Sequence, residues 1–295
     1  MIDPLLAGGI AVAALLLGAG GAYLVVRSRT RNSSPFDAPR FQEELRQAES
    51  RGKDLIETAG IVTTASSEHP ALHRHLSEGG LAAWTDEAHV LVGTSDSINV
   101  KIGINQIPLT MNGTALFQMR NVMAAAATAA AIGFSPDAIA SGLARVTPDN
   151  ANLPTSLNSF TASGVRILVD RPSPSWFLGP LLRATRALKP DRIIFVLDYR
   201  DVANQDDSVE VGRMIGRHAT VCVVTNEQTA LASVVALKAG IARNEITPPI
   251  VHTESLAKAV LRGLSSADEG DLVVVLTSRP QTVYRTLARH RVVQG

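Results

Sequence analysis

The chain has 295 residues, which suits two domains or one large one. Hydrophobic residues make up 45% of it, enough for a real core, and the net charge of +1 gives no electrostatic reason to expect nucleic acid as a partner. Cys222 is the only cysteine, so a disulfide framework within the chain is excluded. Its apolar neighbours predict a buried structural thiol in a reducing compartment, with a reactive thiol as the alternative.

An uncharged run extends from Leu5 to Val26 and is followed at once by Arg27, Arg29 and Arg31. As a helix, such a run reaches across a hydrocarbon core of about 30 Å. The positive-inside rule then directs the arginine side, and the rest of the chain, to the cytoplasm. Residues 1–32 are therefore predicted to be a transmembrane anchor with a basic flank, in a single-pass protein of the cell membrane. A cleaved signal peptide is the alternative, but its positive charge normally precedes the apolar run.

Residues 33–113 show a proline-containing linker and then short elements. Strict alternation of apolar and polar residues from Ser97 to Ile104 is typical of a half-buried strand. His69 and His73 are four residues apart, as zinc ligands on one helix face are, but no third ligand completes a site and we predict no metal. The other predicted elements are strands at Gly60–Ala65 and Ile107–Gly113, a helix at Phe41–Arg51 and a helix in "SSEHPALHRHL".

The stretch from Gly113 to Val146 combines a short strand-like piece, Ala115–Gln118, with an alanine-rich helix. Asn121 stands in the first turn of that helix. Alanine favours a helix because it loses no side-chain entropy there, and Gly133 ends the helix. The dipeptide Ser135–Pro136 then supplies a typical N-cap and first position for a second helix.

After Pro148 the chain alternates between strands and helices, which is typical of a parallel sheet with helices on both faces. We therefore predict an α/β fold, a Rossmann-like doubly wound parallel sheet. Ligands of such sheets lie beyond the carboxyl ends of the strands, where Asp170, Asp198 and Asn226 stand. The predicted strands are Val165–Asp170, Arg192–Leu197, Thr220–Thr225, Ile250–His252 and Asp271–Leu276. The predicted helices are Trp176–Leu188, Ser208–His218, Gln228–Ala242, Ser255–Leu264 and Gln281–Arg289.

The run "FQMRN" at 117–121, with the alanines after it, resembles the Mur ligase family, in particular its cyanophycin synthetase and poly-gamma-glutamate synthase types. The resemblance extends over roughly residues 55–293. It implies a partial central domain at 33–149 and a Rossmann-like C-terminal domain at 150–295. It also implies ATP and Mg²⁺ as cofactors, with Asn121 at the position that contacts adenine. Gln118 replaces an earlier asparagine of the family motif.

Other motifs of the family are altered in this chain. No glycine-rich loop ending in Gly-Lys-Thr or Gly-Lys-Ser occurs, although such a loop cradles the phosphates and holds Mg²⁺ in the family. Of the family's Asn-Pro-Gly-Arg segment the proline is kept as Pro154, but Thr155 and Ser156 replace the glycine and the arginine. A neutral hydroxyl does not replace a five-donor cation against phosphate.

Two strand ends carry acidic residues, and one of them matches the family pattern. Asp170 is in register with the aspartate of an Asp-Tyr-Ala-His-Asn-Pro motif, whose histidine position is Ser173. On a purely structural interpretation, Ser173 or Ser175 caps the following helix. In "VLDYRD", where the family has Gly-Asp-Arg, this chain has Asp198, Tyr199 and Arg200, and we expect the side chains of Asp198 and Arg200 to face the cleft. The candidate nucleotide-binding residues are therefore Asn121, Asp170, Asp198 and Arg200, and no catalytic residue is predicted.

These observations predict a membrane-anchored Mur ligase-like pseudoenzyme that is not catalytic alone. It would act with a protein partner, or as a homo-oligomer, in the synthesis of an amino-acid polymer or a cell-envelope precursor. Two alternatives stay open. One is an ATP-dependent acid–amino acid ligase whose missing loop comes from another subunit. The other is a small-molecule binding module that uses the crevice near Asp170 and Asp198.

Overall fold

The computed structural model describes residues 13–18, 21–26, 62–64, 67–151, 153–198, 205–225, 231–290 and 293–294. The chain forms two compact units, Met1–Thr147 and Pro148–Gly295. The predicted helix at Phe41–Arg51 lies outside the described residues.

The prediction of a transmembrane helix at Leu5–Val26 is wrong. The described part of this run forms two antiparallel strands, β1 (Ala13–Gly18) and β2 (Gly21–Val26), which pair so that Gly18 faces Gly21. Glycine weakens a helix interior and suits a tight turn, which is the physical reason for the error. Among the described residues, no helix is both long and apolar enough to cross a membrane. The predicted anchor, single-pass topology and cell-membrane localisation are therefore withdrawn.

The first unit contains a four-stranded sheet in the order β3-β4-β5-β6, with β3 parallel to β4 and the other pairs antiparallel. Its strands are β3 (Val62–Thr64), β4 (Ala82–Thr85), β5 (His89–Gly93) and β6 (Ile98–Gly103). Its helices are α1 (Pro70–Ser77), α2 (Leu116–Ala131) and α3 (Pro136–Arg145). The N-cap of α3 is Ser135, as predicted.

The core of the first unit lies where α2 and α3 pack against the sheet. Alanines at 126 and 127 of α2 are buried there and allow close approach, and larger side chains of α2 fill the space around them. The core contains Ala83, Val90, Val92, Val100 and Ile102 of the sheet, Met119, Val122 and Met123 of α2, and Ile139 and Leu143 of α3.

Two predicted strands of the first unit are not strands. Ala115–Gln118 is not extended, since α2 begins at Leu116 and Asn121 therefore lies in its second turn. The segment Ile107–Gly113 contains a 3-10 turn at Pro108–Thr110 and continues through positive-φ residues. Thr110 explains this tight backbone, because its hydroxyl donates hydrogen bonds to the carbonyl oxygens of residues 104 and 107.

The second unit contains a seven-stranded sheet in the order β11-β10-β9-β12-β8-β7-β13. Five strands, β8 to β12, are parallel; β7 and β13 add an antiparallel edge, so the sheet is mixed rather than wholly parallel. The strands are β7 (Asn158–Ala162), β8 (Val165–Asp170), β9 (Ile193–Asp198), β10 (Val221–Thr225), β11 (Ile250–Thr253), β12 (Leu272–Thr277) and β13 (Val293–Gln294).

Helices connect the parallel strands, as predicted. They are α4 (Ser175–Ala187), α5 (Gln205–Gly216), α6 (Leu231–Ile241), α7 (Leu256–Ser265) and α8 (Pro280–Arg289). Every residue of β9 and β12 is buried, so both faces of the sheet are covered. Cys222 is fully buried in β10, and burial raises its thiol pKa to about 12, which confirms the prediction of a structural thiol.

Helices α5 and α6 touch backbone to backbone, and glycine makes this possible. A Cβ atom on Gly212 would overlap the carbonyl oxygen of Leu237, and one on Gly240 would overlap the carbonyl oxygen of Val209. The close crossing therefore needs a glycine on each helix, Gly212 on α5 and Gly240 on α6. Elsewhere in the same unit, a Cβ atom on Gly179 of α4 would lie 3.5 Å from Nη1 of Arg183, an ordinary contact.

The close crossing gives a testable expectation. Gly240→Ala should lower the free energy of unfolding by about 1–3 kcal/mol, because the added methyl group forces the helices apart. Gly179→Ala is the matched control and should be neutral or stabilising by up to about 1 kcal/mol, since alanine is the better helix former. Urea unfolding followed by circular dichroism measures both. Equal effects of the two substitutions would contradict the close packing of α5 on α6.

Candidate functional site

Asn121 is the candidate residue of the first unit, and it is half-buried on α2. Its Nδ2 atom donates a hydrogen bond to Oε1 of the buried Gln118, 2.9 Å away, and this is its one side-chain partner among the described residues. A primary amide has two N–H donors and an acceptor oxygen. One N–H and the oxygen of Asn121 thus stay available, and together they match the hydrogen-bonding edge of adenine.

The candidate residues of the second unit stand at the carboxyl ends of parallel strands, which share one edge of the sheet. Asp170 ends β8, Asp198 ends β9 and Thr277 ends β12. Because β12 lies between β8 and β9, the two aspartates are separated by two strand spacings, about 9–10 Å. They are therefore neighbours along the crevice edge rather than a carboxylate pair.

Asp198 is fully buried and is held by three side chains of the same edge. Its Oδ1 atom accepts from Thr225 Oγ1 at 3.2 Å and from Arg279 Nη2 at 2.8 Å. Its Oδ2 atom accepts from Thr277 Oγ1 at 2.7 Å and from Arg279 Nε at 3.0 Å. The Arg279 contact is thus the two-point arrangement that best matches a guanidinium to a carboxylate.

This network fixes the carboxylate of Asp198 within the protein. A buried carboxylate is tolerated only when it is paired and its lone pairs are satisfied, and here both oxygens accept. The pair joins the ends of β9, β10 and β12 to the residue that precedes α8. Arg279 was missed by the sequence analysis, although "TSRP" directly after an apolar strand is a signal for a polar strand end followed by a helix start.

Asp170 has a different environment from Asp198. Its side chain is 8% exposed, and its Oδ1 atom accepts one hydrogen bond, from the backbone N–H of Arg171 at 2.7 Å. Burial raises the pKa of Asp170 to about 7, and the Arg171 hydrogen bond and charge offset only part of that rise. Asp170 is therefore the carboxyl group of this edge that takes up or releases a proton near neutral pH.

The beginning of α4 differs from the prediction that Ser173 or Ser175 is its N-cap. The N-cap is Pro174, which has no side-chain hydrogen bond to offer. The carboxylate of Asp207, in α5, takes over that function and accepts from both the backbone N–H and the hydroxyl of Ser175. Capping across two helices was invisible in the sequence because the residues are far apart in the chain. Ser173 is buried, which makes it a poor substitute for the family's histidine.

Other predicted candidates are placed as follows. Arg200 and Asn226 lie outside the described residues. His69 is the N-cap of α1, where its Nδ1 atom accepts from the backbone N–H of Ala71 at 3.2 Å. Within the described ranges, no three His, Cys, Asp or Glu side chains come together as a metal site.

Comparison with known sequences finds similarity to cyanophycin synthetases. No family model matches the chain. Over 232 residues, the chain is 25% identical to cyanophycin synthetase of Nostoc sp. (strain PCC 7120 / SAG 25.82 / UTEX 2576), and the match covers 76% of this chain. It covers 25% of the synthetase, so the chain spans about a quarter of the length of that relative.

Comparison with solved structures identifies the fold. The structure of E. coli FolC in complex with DHPP and ADP superposes with a TM-score of 0.54 at 16% identity, covering 80% of this chain and 56% of FolC. MurF from Acinetobacter baumannii superposes with a TM-score of 0.50 at 15% identity, covering 78% of this chain and 51% of MurF. At such identities the likeness concerns the fold, which these ligase structures share with the present chain.

The pKa of Asp170 predicts how stability changes with pH. The native state keeps the Asp170 proton up to about pH 7, whereas an ordinary aspartate loses it near 3.8. Between these values the native state binds more protons, so this group makes stability fall as pH rises. The amide of Asp170→Asn cannot ionise. The free energy of unfolding of this variant should therefore rise relative to that of the wild type by up to roughly 4 kcal/mol between pH 4 and pH 8.

Urea unfolding of wild type and variant at each pH measures this gain, because the other titrating groups cancel in the difference. A difference that does not change with pH would show that Asp170 ionises normally.

Proposed function

We propose that this chain, a cyanophycin synthetase-like relative of the Mur ligases, is an amide ligase-like protein that does not form amide bonds by itself. The proposal rests on the burial and the hydrogen bonds of Asp198. Its carboxylate is fully buried and accepts four hydrogen bonds from Thr225, Thr277 and Arg279. This strand-end carboxylate is thus engaged within the protein.

The chemistry of the reaction explains why this matters. Activation of a carboxylate by ATP requires the charge of the transferred phosphoryl group to be held by backbone N–H groups, a lysine and Mg²⁺. The 295 residues contain no glycine-rich loop of that type. The positions of the family's arginine and histidine are Ser156 and Ser173, and the strand-end cation, Arg279, is paired with Asp198.

A partner protein then supplies what the chain lacks. We propose that the partner, or a homo-oligomer, acts with this chain in the assembly of an amino-acid polymer or a cell-envelope precursor. Asn121, with a free N–H and oxygen toward a ligand, would keep an adenine nucleotide in place.

Two other functions are alternatives to this proposal. The chain would be an ATP-dependent acid–amino acid ligase if another subunit completed its phosphate site. It would be a small-molecule binding module if the edge near Asp170 bound a ligand without any reaction. The similarity to ligases in sequence and fold favours the first alternative over the second.

The proposal is tested by activity. The purified chain should release no phosphate from ATP and Mg²⁺ with a panel of amino acids, because losing the phosphate contacts costs several kcal/mol per donor group and hence many powers of ten in rate. The contamination control is Asn121→Ala, since Asp198→Ala would break the buried ion pair and unfold the site. Turnover by the wild type that disappears in Asn121→Ala would overturn the proposal.

Nucleotide binding is tested separately. If ADP or ATP binds, Asn121→Ala should weaken binding by about 1–3 kcal/mol, the usual effect of leaving a buried partner unpaired. The melting temperature of the free protein should change little, because Asn121 is only half-buried. Arg120→Ala, an exposed change on the same helix, is the matched control and should leave binding unchanged. Loss of stability in Asn121→Ala without detectable nucleotide binding to the wild type would make Asn121 a helix residue only. Isothermal titration calorimetry measures the affinities.

A further inference from the structure

The segment Leu153–Leu157, through which the chain enters the second unit, has an unusual backbone. Thr155 has a φ of 57° and Leu157 a φ of 55°. Side chains with a Cβ atom are crowded in this left-handed region, and a β-branched residue such as threonine is rarely found there. A turn of this kind persists only where the surrounding structure holds it in place.

Two buried side chains hold the turn. Asn158, which begins β7, donates from Nδ2 to the carbonyl oxygen of Leu153 at 2.8 Å and accepts at Oδ1 from the backbone N–H of Thr155 at 2.9 Å. Tyr284, on α8, donates its hydroxyl to the same Oδ1 atom, and its oxygen lies 3.3 Å from the Thr155 nitrogen. The Asn158 amide thus takes the place of backbone hydrogen bonds within the turn.

The side chains of Asn158 and Tyr284 are themselves held by burial and packing. Asn158 is fully buried and Tyr284 is 6% exposed, and the Tyr284 ring packs on Phe160 with 5.7 Å between centroids. Burial, with a smaller contribution from the charges of Asp170 and Asp149, raises the pKa of Tyr284. Its hydroxyl therefore keeps its proton and stays a donor to Asn158.

We propose that Asn158 and Tyr284 form a latch that holds the turn Leu153–Leu157 in a strained, left-handed conformation, and that the turn relaxes when the latch opens. The latch ties the entrance of the second unit to α8. Helix α8 also follows directly on Arg279, so the same helix carries the strand-end ion pair and the latch. In this proposal the turn has a closed form, which the latch holds, and a released form.

The strain is tested with Thr155→Gly. Glycine adopts positive φ without crowding, so this change should raise the melting temperature by about 2–4 °C although it removes a side chain. Thr247→Gly is the matched control. Thr247 also donates its hydroxyl to a backbone carbonyl, that of Asn244, but its φ is ordinary. It should lower the melting temperature, because glycine makes the unfolded chain more flexible.

The latch is tested by combining substitutions in the turn with substitutions in the latch. In an Asn158→Ala background the turn is already released, so the gain from Thr155→Gly should vanish. Tyr284→Phe keeps the ring and its packing, and it should speed hydrogen–deuterium exchange of the 155–157 amides by roughly tenfold or more while the strands of the sheet stay protected. Should the variant with Asn158→Ala fail to fold, Tyr284→Phe with Thr155→Gly provides the same comparison.

Two results would overturn the proposal. One is a Thr155→Gly effect equal to that of Thr247→Gly, which would mean that no strain is stored. The other is unchanged exchange of the 155–157 amides in Tyr284→Phe, which would mean that the hydroxyl does not hold the turn. Neither result bears on ATP hydrolysis, so a failure here is distinct from a failure of the proposed function.

Discussion

The strand ends of the second unit are held together by a buried ion pair between Asp198 and Arg279. A carboxylate with no solvent exposure would be strongly destabilising if its charge were unpaired, so the strands around it must present donors at the right places. They do so because β9, β10 and β12 are parallel and in register, which brings Thr225 and Thr277 to the level of Asp198. The pair is therefore satisfied in this strand register and stabilises the edge where ligands of such sheets bind.

This constraint also determines what chemistry the edge can offer. Asp198 and Arg279 neutralise each other, and Arg279 is oriented by its two-point contact. Asp170 is left as the carboxyl group of the edge with a pKa near neutrality. In the first unit, Asn121 keeps one amide N–H and its oxygen without a side-chain partner among the described residues.

The parallel part of the fold was predictable because buried parallel strands are continuous apolar runs. The predicted ends of β8 to β12 differ from the observed ones by no more than one residue, and the relationship to the Mur ligases is confirmed. Strands β4, β5 and β7 were missed because they are short and lack a distinctive period. The run Leu5–Val26 was misassigned because hydrophobicity alone does not separate a helix from a hairpin with glycines at its turn.

The site was less predictable than the fold, because its decisive contacts join residues far apart in the chain. Arg279 is 81 residues from Asp198, and no local pattern links them. The position of a residue at a strand end therefore does not fix its contacts, as the partners of Asp198 show. Thr155 is a second example. It stands at the position of the glycine in the family's Asn-Pro-Gly-Arg segment, and it adopts the positive φ that glycine favours. Asn158 and Tyr284 provide the hydrogen bonds that hold this backbone geometry, which threonine alone does not favour.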